Sequence, residues 1–447
     1  MPDNSAFSNS PEELRRIAAE VLDHARALGA TAAETEVSEG FGQTVSVRKG
    51  EIETIEYNRD KGVGVTVYVG QQRGHASTSD FKPRALRETV EAAHAIARFT
   101  AADECAGLAD PDLLARDIPD LDLYHPWNLP VEEAIERARA CEAAALAVDS
   151  RISNSEGATL STQQSHFVYA NSNGFVGGYP SSRHSAMCSV IGGEGDEMQR
   201  DDWYSIARAS EQLEAVEEVG RRAGMRTARR LNARRIGTME VPVLFEAPIA
   251  ASLLGHFASA ASGGSLYRRS SFLLDALGER IFSAFVRIRD LPDIRRGLGS
   301  SPFDDEGVAT QARDIVADGV LKGYFLGSYS ARKLGMRSTG NAGGSHNLVL
   351  DSTGEDFPGL LRKLDRGLLV TELLGMGVNQ VTGDYSRGAA GFWVENGAIA
   401  YPVHEITIAG NLKDMYKDIV AIGNDVVARG PRQCGSVLIG RMTVAGE

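Results

Sequence analysis

Cysteine is scarce in this chain, and the few cysteines stand far apart. Four occur among 447 residues, at Cys105, Cys141, Cys188 and Cys434. No two of them form the CxxC pair that is typical of zinc clusters. A disulfide framework is not expected either, because such frameworks belong to short chains that are dense in cysteine. We therefore expect four reduced thiols.

Long apolar runs and an excess of basic residues are missing as well. No uncharged apolar run approaches the roughly 18–20 residues that a membrane span requires, and the first residues lack the basic start and apolar core of a signal peptide. We therefore expect a cytoplasmic protein with no membrane association. The net charge of −13 argues against nucleic-acid binding, which needs a basic face. The one basic block, residues 221–235, is more typical of a solvated helix face.

Glycine, in contrast, is abundant, and its 48 residues indicate many tight turns between strands. A length of 447 residues is too great for one ordinary hydrophobic core. The pattern of helices and strands predicts four segments. They are an α-β4-α unit of the N-terminal domain (1–100), a linker (101–130), a second α-β-α unit of the N-terminal part (131–236) and a C-terminal β-rich domain (237–447).

Helices and strands that do not alternate as β-α-β predict an α+β fold. The N-terminal part is expected to be a layered antiparallel sheet with covering helices. Its first helix starts at the capping box Ser10–Glu13, and short alternating segments follow between Glu34 and Ser79. The linker is expected to be partly packed through Tyr124 and Trp127. The Asn396-Gly397 pair favours a hairpin turn in a barrel-like or sandwich C-terminal domain.

The stretch with the clearest link to chemistry is Val241–Asp275, a buried strand that leads into a helix with one imidazole, His256. Zinc hydrolases often hold their metal on such a helix, as in HExxH sites. Here Phe257 stands where a glutamate would be needed, and no second metal ligand follows before Asp275. A packed histidine near a helix end is therefore a better interpretation of His256 than a metal ligand.

Three further groups of residues are candidates for chemistry. The carboxylates of Asp304, Asp305 and Glu306 suit cation binding or acid–base work, although a capped surface turn explains them better. His404 starts a His-Glu pair, but the residues after it alternate as a strand and contain no second histidine. Cys434 could act as a nucleophile only if the fold brought a histidine close, so an inert small hydrophobe is the safer interpretation. Whether His256, His404 and Cys434 converge on one cleft is not decided by sequence.

Several motifs of this chain resemble those of the TldD/PmbA metalloprotease family, in particular its PmbA (TldE) branch. They occur in the family's order and are densest after Val241. They are SGGSLYRRSSFLLDALGERI from Ser262, SPFDDEGVATQ from Ser301, STGNAGG from Ser338, GFWVENGAIAYPVHEITIAGNL from Gly391 and QCGSVLIGRMTVAGE at the C-terminus. In this family TldD-type chains carry a HExxxH zinc motif and a C-terminal cysteine ligand. PmbA-type chains pair with them in a heterodimeric metalloprotease that trims unfolded or modified peptides.

The resemblance implies that this chain lacks the zinc motif. His256 corresponds to the first histidine of HExxxH, whereas Phe257 replaces the glutamate and Ala261 the second histidine; Cys434 lies near the place of the cysteine ligand. We therefore expect no catalytic or metal-binding residue here and inactivity in isolation. Zinc is expected in a TldD-type partner, and unfolded peptides are the expected substrates.

Two alternatives stay open beside the subunit of a protease. One is a regulatory binding protein with no protease role, in line with the family's older label of DNA gyrase modulator. The other, a cysteine hydrolase built on Cys434 and a histidine, is the weaker one. The sequence also leaves open whether the isolated chain forms a homodimer.

Overall fold

The computed structural model describes residues 7–446, apart from the side chain of Asp196. Residues 1–6 and Glu447, the outer ends of the first and last predicted segments, lie outside this range. The α-helices of the described residues are α1 (Pro11–Ala27), α2 (Pro83–Phe99), α3 (Val131–Leu146), α4 (Val216–Arg230), α5 (Ala247–Ala260), α6 (Gly263–Tyr267), α7 (Ser328–Lys333), α8 (Phe357–Leu364) and α9 (Leu412–Lys417).

The strands divide into three sheets, one in the N-terminal half and two in the C-terminal half. Those of the first sheet are β1 (Ala32–Arg48), β2 (Glu51–Val69), β3 (Gln72–Thr78), β4 (Ile152–Asn171), β5 (Val176–Gly177), β6 (Pro180–Gly192) and β7 (Gln199–Ala207). Those of the other two sheets are β8 (Met239–Phe245), β9 (Ile288–Leu291), β10 (Arg313–Ala317), β11 (Val320–Leu321), β12 (Asn347–Leu350), β13 (Gly367–Leu374), β14 (Asp384–Glu395), β15 (Ala398–Asn411), β16 (Ile419–Ile422), β17 (Arg432–Gln433) and β18 (Val437–Ala445).

The two predicted N-terminal units share one antiparallel sheet. Its strand order is β3-β2-β1-β4-β6-β7, with the short β5 paired to β4. The join between the units is the β1–β4 pair, which runs from Glu34 opposite Asn171 to Val47 opposite Ala158. Helices α1 and α2 pack on the first part of the sheet and α3 and α4 on the second, so that two apolar clusters lie under one layer of helices.

The structure has three strands between α1 and α2, where the alternating segments predict four. The strand pattern does not break at residues 39–42, because β1 continues through Gly40 and Gly42. A Cβ atom on Gly42 would stand 2.2 Å from Oε1 of Gln163 on β4. The glycine that interrupts the alternation therefore makes room for a cross-strand side chain and does not form a turn.

Residues 101–130 contain no helix or strand, yet they are fixed to both halves of the molecule. Tyr124 donates a hydrogen bond of 3.0 Å to Oε1 of Gln164 on β4. Arg332 of α7 donates to the backbone carbonyls of Cys105, Gly107 and Leu108. The segment is therefore a packed strap between the two halves.

The C-terminal half is built around a closed five-stranded barrel. Its order is β8-β13-β14-β15-β18, and pairing of β15 with β18 closes the ring. β16 extends the barrel sheet beside β18, and β11-β10-β9-β12-β17 form the third sheet. The α+β fold with a barrel-like C-terminal domain is confirmed. The largest apolar cluster lies between the barrel, α5 and the third sheet, and this position makes α5 the central helix of the domain.

Helix α4 ties the first sheet to the barrel through buried ion pairs. Arg226 lies 3.1 Å from Asp201 of β7 and 2.9 Å from Glu246, the residue before α5. Arg230 pairs with Glu372 of β13. Because unpaired charges are costly to bury, these contacts fix α4 against the start of α5. Among residues 7–446, no helix combines the length and the apolar character needed to span a membrane.

Candidate functional site

Helix α5 has one buried face and one half-exposed face. Strand β8 ends at Phe245, Glu246 precedes the helix, and Pro248 occupies its first turn, where a missing N–H is harmless. The buried residues recur at helical spacing. They are Ala247, Ala250, Leu253, Leu254, Phe257 and Ala260. Ser252, Gly255 and His256 are half-exposed. His256 is the one ionisable side chain of the helix.

The two positions that would complete a zinc motif are inside the hydrophobic core. Phe257 has 0 % of its surface exposed, and its ring packs edge-on against Phe282 at 5.3 Å. Ala261 is equally buried, and its carbonyl accepts a hydrogen bond of 3.0 Å from the N–H of Phe325. Neither side chain offers an electron pair to a metal. The residues at this site therefore do not fit the zinc ion that the family implies.

His256 is surrounded by an aromatic ring and two cations. Its Nε2 atom is buried and has no hydrogen-bond partner. The ring of Tyr385 on β14 stands edge-on to the imidazole with centroids 6.0 Å apart. Burial, together with the charges of Arg387 and Arg432, lowers the pKa of His256 to about 4. The imidazole is therefore neutral at physiological pH.

Cys434 follows β17 and is buried with 2 % of its surface exposed. Burial, and secondarily the carboxylate of Asp425, raises the pKa of its thiol to about 12. The same carboxylate accepts hydrogen bonds from the N–H and hydroxyl of Ser436, at 2.8 and 2.6 Å. A protonated thiol beside an anion is a poor nucleophile, which agrees with an inert core cysteine.

His404 lies on β15 at the contact between the barrel and the first sheet. Its Nδ1 atom is 3.3 Å from Nε2 of Gln199 on β7, and its backbone N–H donates to the carbonyl of Arg234. The partners of His404, His256 and Cys434 have no residue in common. Among the side chains that the structure describes, which leave out Asp196, no three of His, Cys, Asp or Glu are grouped as a metal site would require. The absence of catalytic and metal-binding residues stays a prediction.

The acidic turn at residues 304–306 is held by backbone contacts. Asp304 accepts hydrogen bonds from the N–H groups of Glu306, Val308 and Ala342 at 2.9–3.0 Å. Glu306 accepts one from the N–H of Ser328, which starts α7. These contacts agree with the capped turn that the sequence favours, although Asp304 is buried, with 3 % of its surface exposed.

Arg387 and Arg432 are site residues that the sequence analysis did not single out. They come from β14 and β17, far from α5 along the chain. The sequence pattern of β14 does indicate Arg387. It occupies the same face of the strand as the buried core residues Tyr385 and Ala389. A charged residue at such a position is unusual. Nothing comparable marks Arg432, whose place beside α5 depends on the packing of two distant sheets.

Comparison with known proteins places all parts of the chain in one family. Family models described as PmbA/TldA metallopeptidase domain 1, central domain and C-terminal domain match residues 33–97, 124–231 and 238–446. The chain is 50% identical over 415 residues to metalloprotease PmbA of Escherichia coli O157:H7, covering 93% of this chain and 92% of that protein. A PmbA homolog of Haemophilus influenzae is 48% identical over 437 residues, covering 98% and 97%.

Solved structures show the same fold over nearly the whole length. A Bacteroides thetaiotaomicron protein described as a proposed modulator of DNA gyrase superposes with a TM-score of 0.93 at 28% identity, covering 98% of this chain and all of that one. TldE from Thermococcus kodakarensis, at 20% identity, has the same fold with a TM-score of 0.84, covering 96% and 100%. The chain therefore belongs to the PmbA/TldA metallopeptidase family, and within it to the PmbA branch.

Proposed function

We propose that this chain is the non-catalytic subunit of a heterodimeric zinc metalloprotease of the cytoplasm. Its partner is a TldD-type chain that carries the zinc, and the complex degrades or trims unfolded or modified peptides. The chain supplies an interface and part of a chamber for extended peptide. It is inactive by itself.

The observation that carries this proposal is the burial of Phe257 and Ala261. Hydrolysis by a metal needs a base next to the bound water and a second nitrogen ligand on the helix. At the two corresponding positions this chain has groups that stabilise its core, with Phe257 packed against Phe282. Helix α5 thus contributes to the architecture of the domain, and the chemistry is left to another chain.

The environment of His256 supports the same conclusion. A metal ligand is normally held by a second partner that orients its ring, often a carboxylate or a backbone carbonyl. His256 instead has two cationic neighbours, Arg387 and Arg432, which would repel a divalent cation. Its surroundings are therefore unfavourable for zinc even before the missing ligands are considered.

The test compares the isolated chain with its mixture with a TldD-type subunit. Zinc content is measured by mass spectrometry, and cleavage is followed on a fluorescent unfolded peptide. We expect co-elution of the two chains, no zinc in the isolated chain, and cleavage by the mixture that a chelator stops. A mixture containing a TldD-type subunit with a substituted zinc motif is the matched control.

Zinc-dependent cleavage by the isolated chain would contradict the proposal. So would a failure of the two chains to associate, together with a stable complex between this chain and DNA gyrase. That second outcome would favour the regulatory role that the sequence left open.

A further inference from the structure

Two arginines beside α5 have no counter-charge. With the side chains that the structure describes, neither Arg387 nor Arg432 forms an ion pair, a side-chain hydrogen bond or a stacking contact with a ring. The chain has 60 acidic and 47 basic residues, so carboxylates are not in short supply. Other arginines of the C-terminal half do find them, as in the pair between Arg289 and Asp351. Arg387 and Arg432 differ from that pair in having no described carboxylate within ion-pair distance.

Both arginines flank the same turn of α5. The guanidinium of Arg432 lies against Gly255, where an added Cβ atom would be 3.1 Å from Nη1 and 3.2 Å from Cζ. Arg387 shares the core-facing side of β14 with Tyr385, the residue that contacts His256. The charges of both arginines act on His256. The half-exposed face of α5 is thus bordered by one guanidinium from the barrel and one from the third sheet.

Three polar atoms at this place are buried and unpaired. They are Nε2 of His256, the hydroxyl of Tyr385 and Nε of Arg387. Tyr385 is almost fully buried, with 1 % of its surface exposed. A buried polar group without a partner costs about 1–3 kcal/mol, so three such groups together are unfavourable for the free chain. An anion that accepted hydrogen bonds here would offset part of that cost.

The shape of the helix face suits an extended ligand. Ser252 and Ser259 are small residues on the half-exposed side of α5, so a ligand backbone can lie beside them, on either side of the turn where Arg432 covers Gly255. Arg432 is exposed and Arg387 is half-buried, so a ligand can approach these two side chains from solvent, whereas the three buried atoms become accessible only when a neighbouring side chain moves. Guanidinium groups bind planar carboxylates through paired hydrogen bonds, more specifically than an ammonium group does.

We propose that Arg387 and Arg432, with His256 and Tyr385 beside them, bind a carboxylate group of an extended peptide along α5. The assignment of the ligand as a peptide rests on the proposed function, whereas the site itself does not. The site lies on α5, the helix whose His256 corresponds, by the resemblance, to the first histidine of the family's zinc motif. Helix α5 of this chain thus holds a substrate through the negative charge of the substrate's carboxylate. The carboxylate is either the C-terminal end of the peptide or an acidic side chain.

The experiment measures binding by the full-length chain alone, without any cleavage. Three fluorescein-labelled hexapeptides of alanine and serine serve as probes in fluorescence anisotropy. The first has a free C-terminal carboxylate, the second a C-terminal amide, and the third a C-terminal amide and one internal glutamate. We expect the amidated peptide without glutamate to bind at least about tenfold more weakly than one or both of the others, because hydrogen bonds to charged groups contribute about 1.5–3 kcal/mol.

Two variants test the residues, and one serves as a control. Arg387→Met keeps the volume of a half-buried side chain, and Arg432→Ala changes an exposed one, so both are expected to fold. Each should lower the affinity for the carboxylate peptide about tenfold and leave that for the amide peptide unchanged. Arg441→Ala removes an exposed arginine of the same domain, 4.0 Å from Glu240, and should change neither affinity.

The outcomes separate this proposal from the proposed function. Equal affinities for carboxylate and amide peptides, no measurable binding of any peptide, or unchanged affinities in both arginine variants would overturn the carboxylate site. None of these results would affect cleavage by the complex with a TldD-type chain. Conversely, carboxylate-dependent binding with no cleavage in any mixture would leave the site standing and refute the protease role.

Discussion

Gly255 and Arg432 are in direct contact across the gap between α5 and β17. A Cβ atom added at position 255 would stand 3.1 Å from Nη1 of Arg432. The neighbour in this contact is the far end of a flexible, exposed side chain, so it can move aside by a few tenths of an ångström. The glycine thus costs the helix some stability and allows the guanidinium to lie beside His256.

Gly255→Ala should have opposite effects on stability and on binding. Alanine in a helix interior is favoured over glycine by about 0.5–1 kcal/mol, so we expect a higher free energy of unfolding in urea. The displaced Arg432 should bind the carboxylate peptide more weakly. Gly220→Ala in α4 is the matched contrast, because its Cβ atom would be 1.8 Å from the backbone oxygen of Cys141 and should destabilise the chain. A loss of stability in both variants would contradict the contact described for Gly255.

Phe257 should contribute strongly to the stability of the C-terminal domain. Truncation of a fully buried phenylalanine typically costs about 3–5 kcal/mol, so Phe257→Ala is expected to lower the free energy of unfolding by that amount. Phe285 is 49 % exposed, and Phe285→Ala should change the stability by about 0.5 kcal/mol or less. Similar effects in the two variants, measured by urea denaturation, would show that position 257 is not part of the core.

The thiols should be unreactive in the folded chain. All four cysteines are buried, and the pKa of Cys434 is raised to about 12 by burial and by Asp425. We expect almost no rapid reaction with Ellman's reagent at pH 8, and four reacting thiols after unfolding in guanidinium chloride. A fast-reacting thiol that disappears in Cys434→Ser would instead support the cysteine nucleophile that the sequence left open.

His256 should make stability depend on pH in the acidic range. The pKa of an unfolded histidine is about 6.5, and burial with the charges of Arg387 and Arg432 lowers the folded value to about 4. As the pH falls from 6.5 to 4, the unfolded chain takes up a proton that the folded chain does not, so the folded state loses stability.

The variant His256→Gln has no imidazole to titrate at position 256, so it is the comparison for the measurement. The free energy of unfolding of the unaltered chain, relative to the variant, should fall between pH 6.5 and pH 4 and stay constant above pH 7. A difference that is independent of pH over the whole range would refute the lowered pKa.

Local features of this fold are predictable from sequence. The capping box at Ser10 forms as expected, with reciprocal hydrogen bonds between Ser10 and Glu13. Asn396 and Gly397 both have positive φ and join β14 to β15 by the expected hairpin. Each of these features depends on neighbours within a few residues, and for that reason a single sequence contains the information.

Features that depend on distant segments were missed. The sequence analysis found His256 and the absence of its expected companions, but not Arg387 and Arg432. Their meeting requires the barrel and the third sheet to pack on opposite sides of α5. The extension of β1 through Gly42 was missed for a similar reason, since the side chain that needs the space belongs to Gln163.

The pairing of β1 with β4 has a consequence for the folding of the chain during its synthesis. Strand β1 is complete when Arg48 has been made. Its partner strand β4 is complete only at Asn171, more than a hundred residues later. At a synthesis rate of roughly 5–20 residues per second, that edge stays open for about 6–25 seconds on the ribosome. An open strand edge invites pairing with other chains. The first unit therefore depends, during synthesis, on a sequence that has not yet been translated.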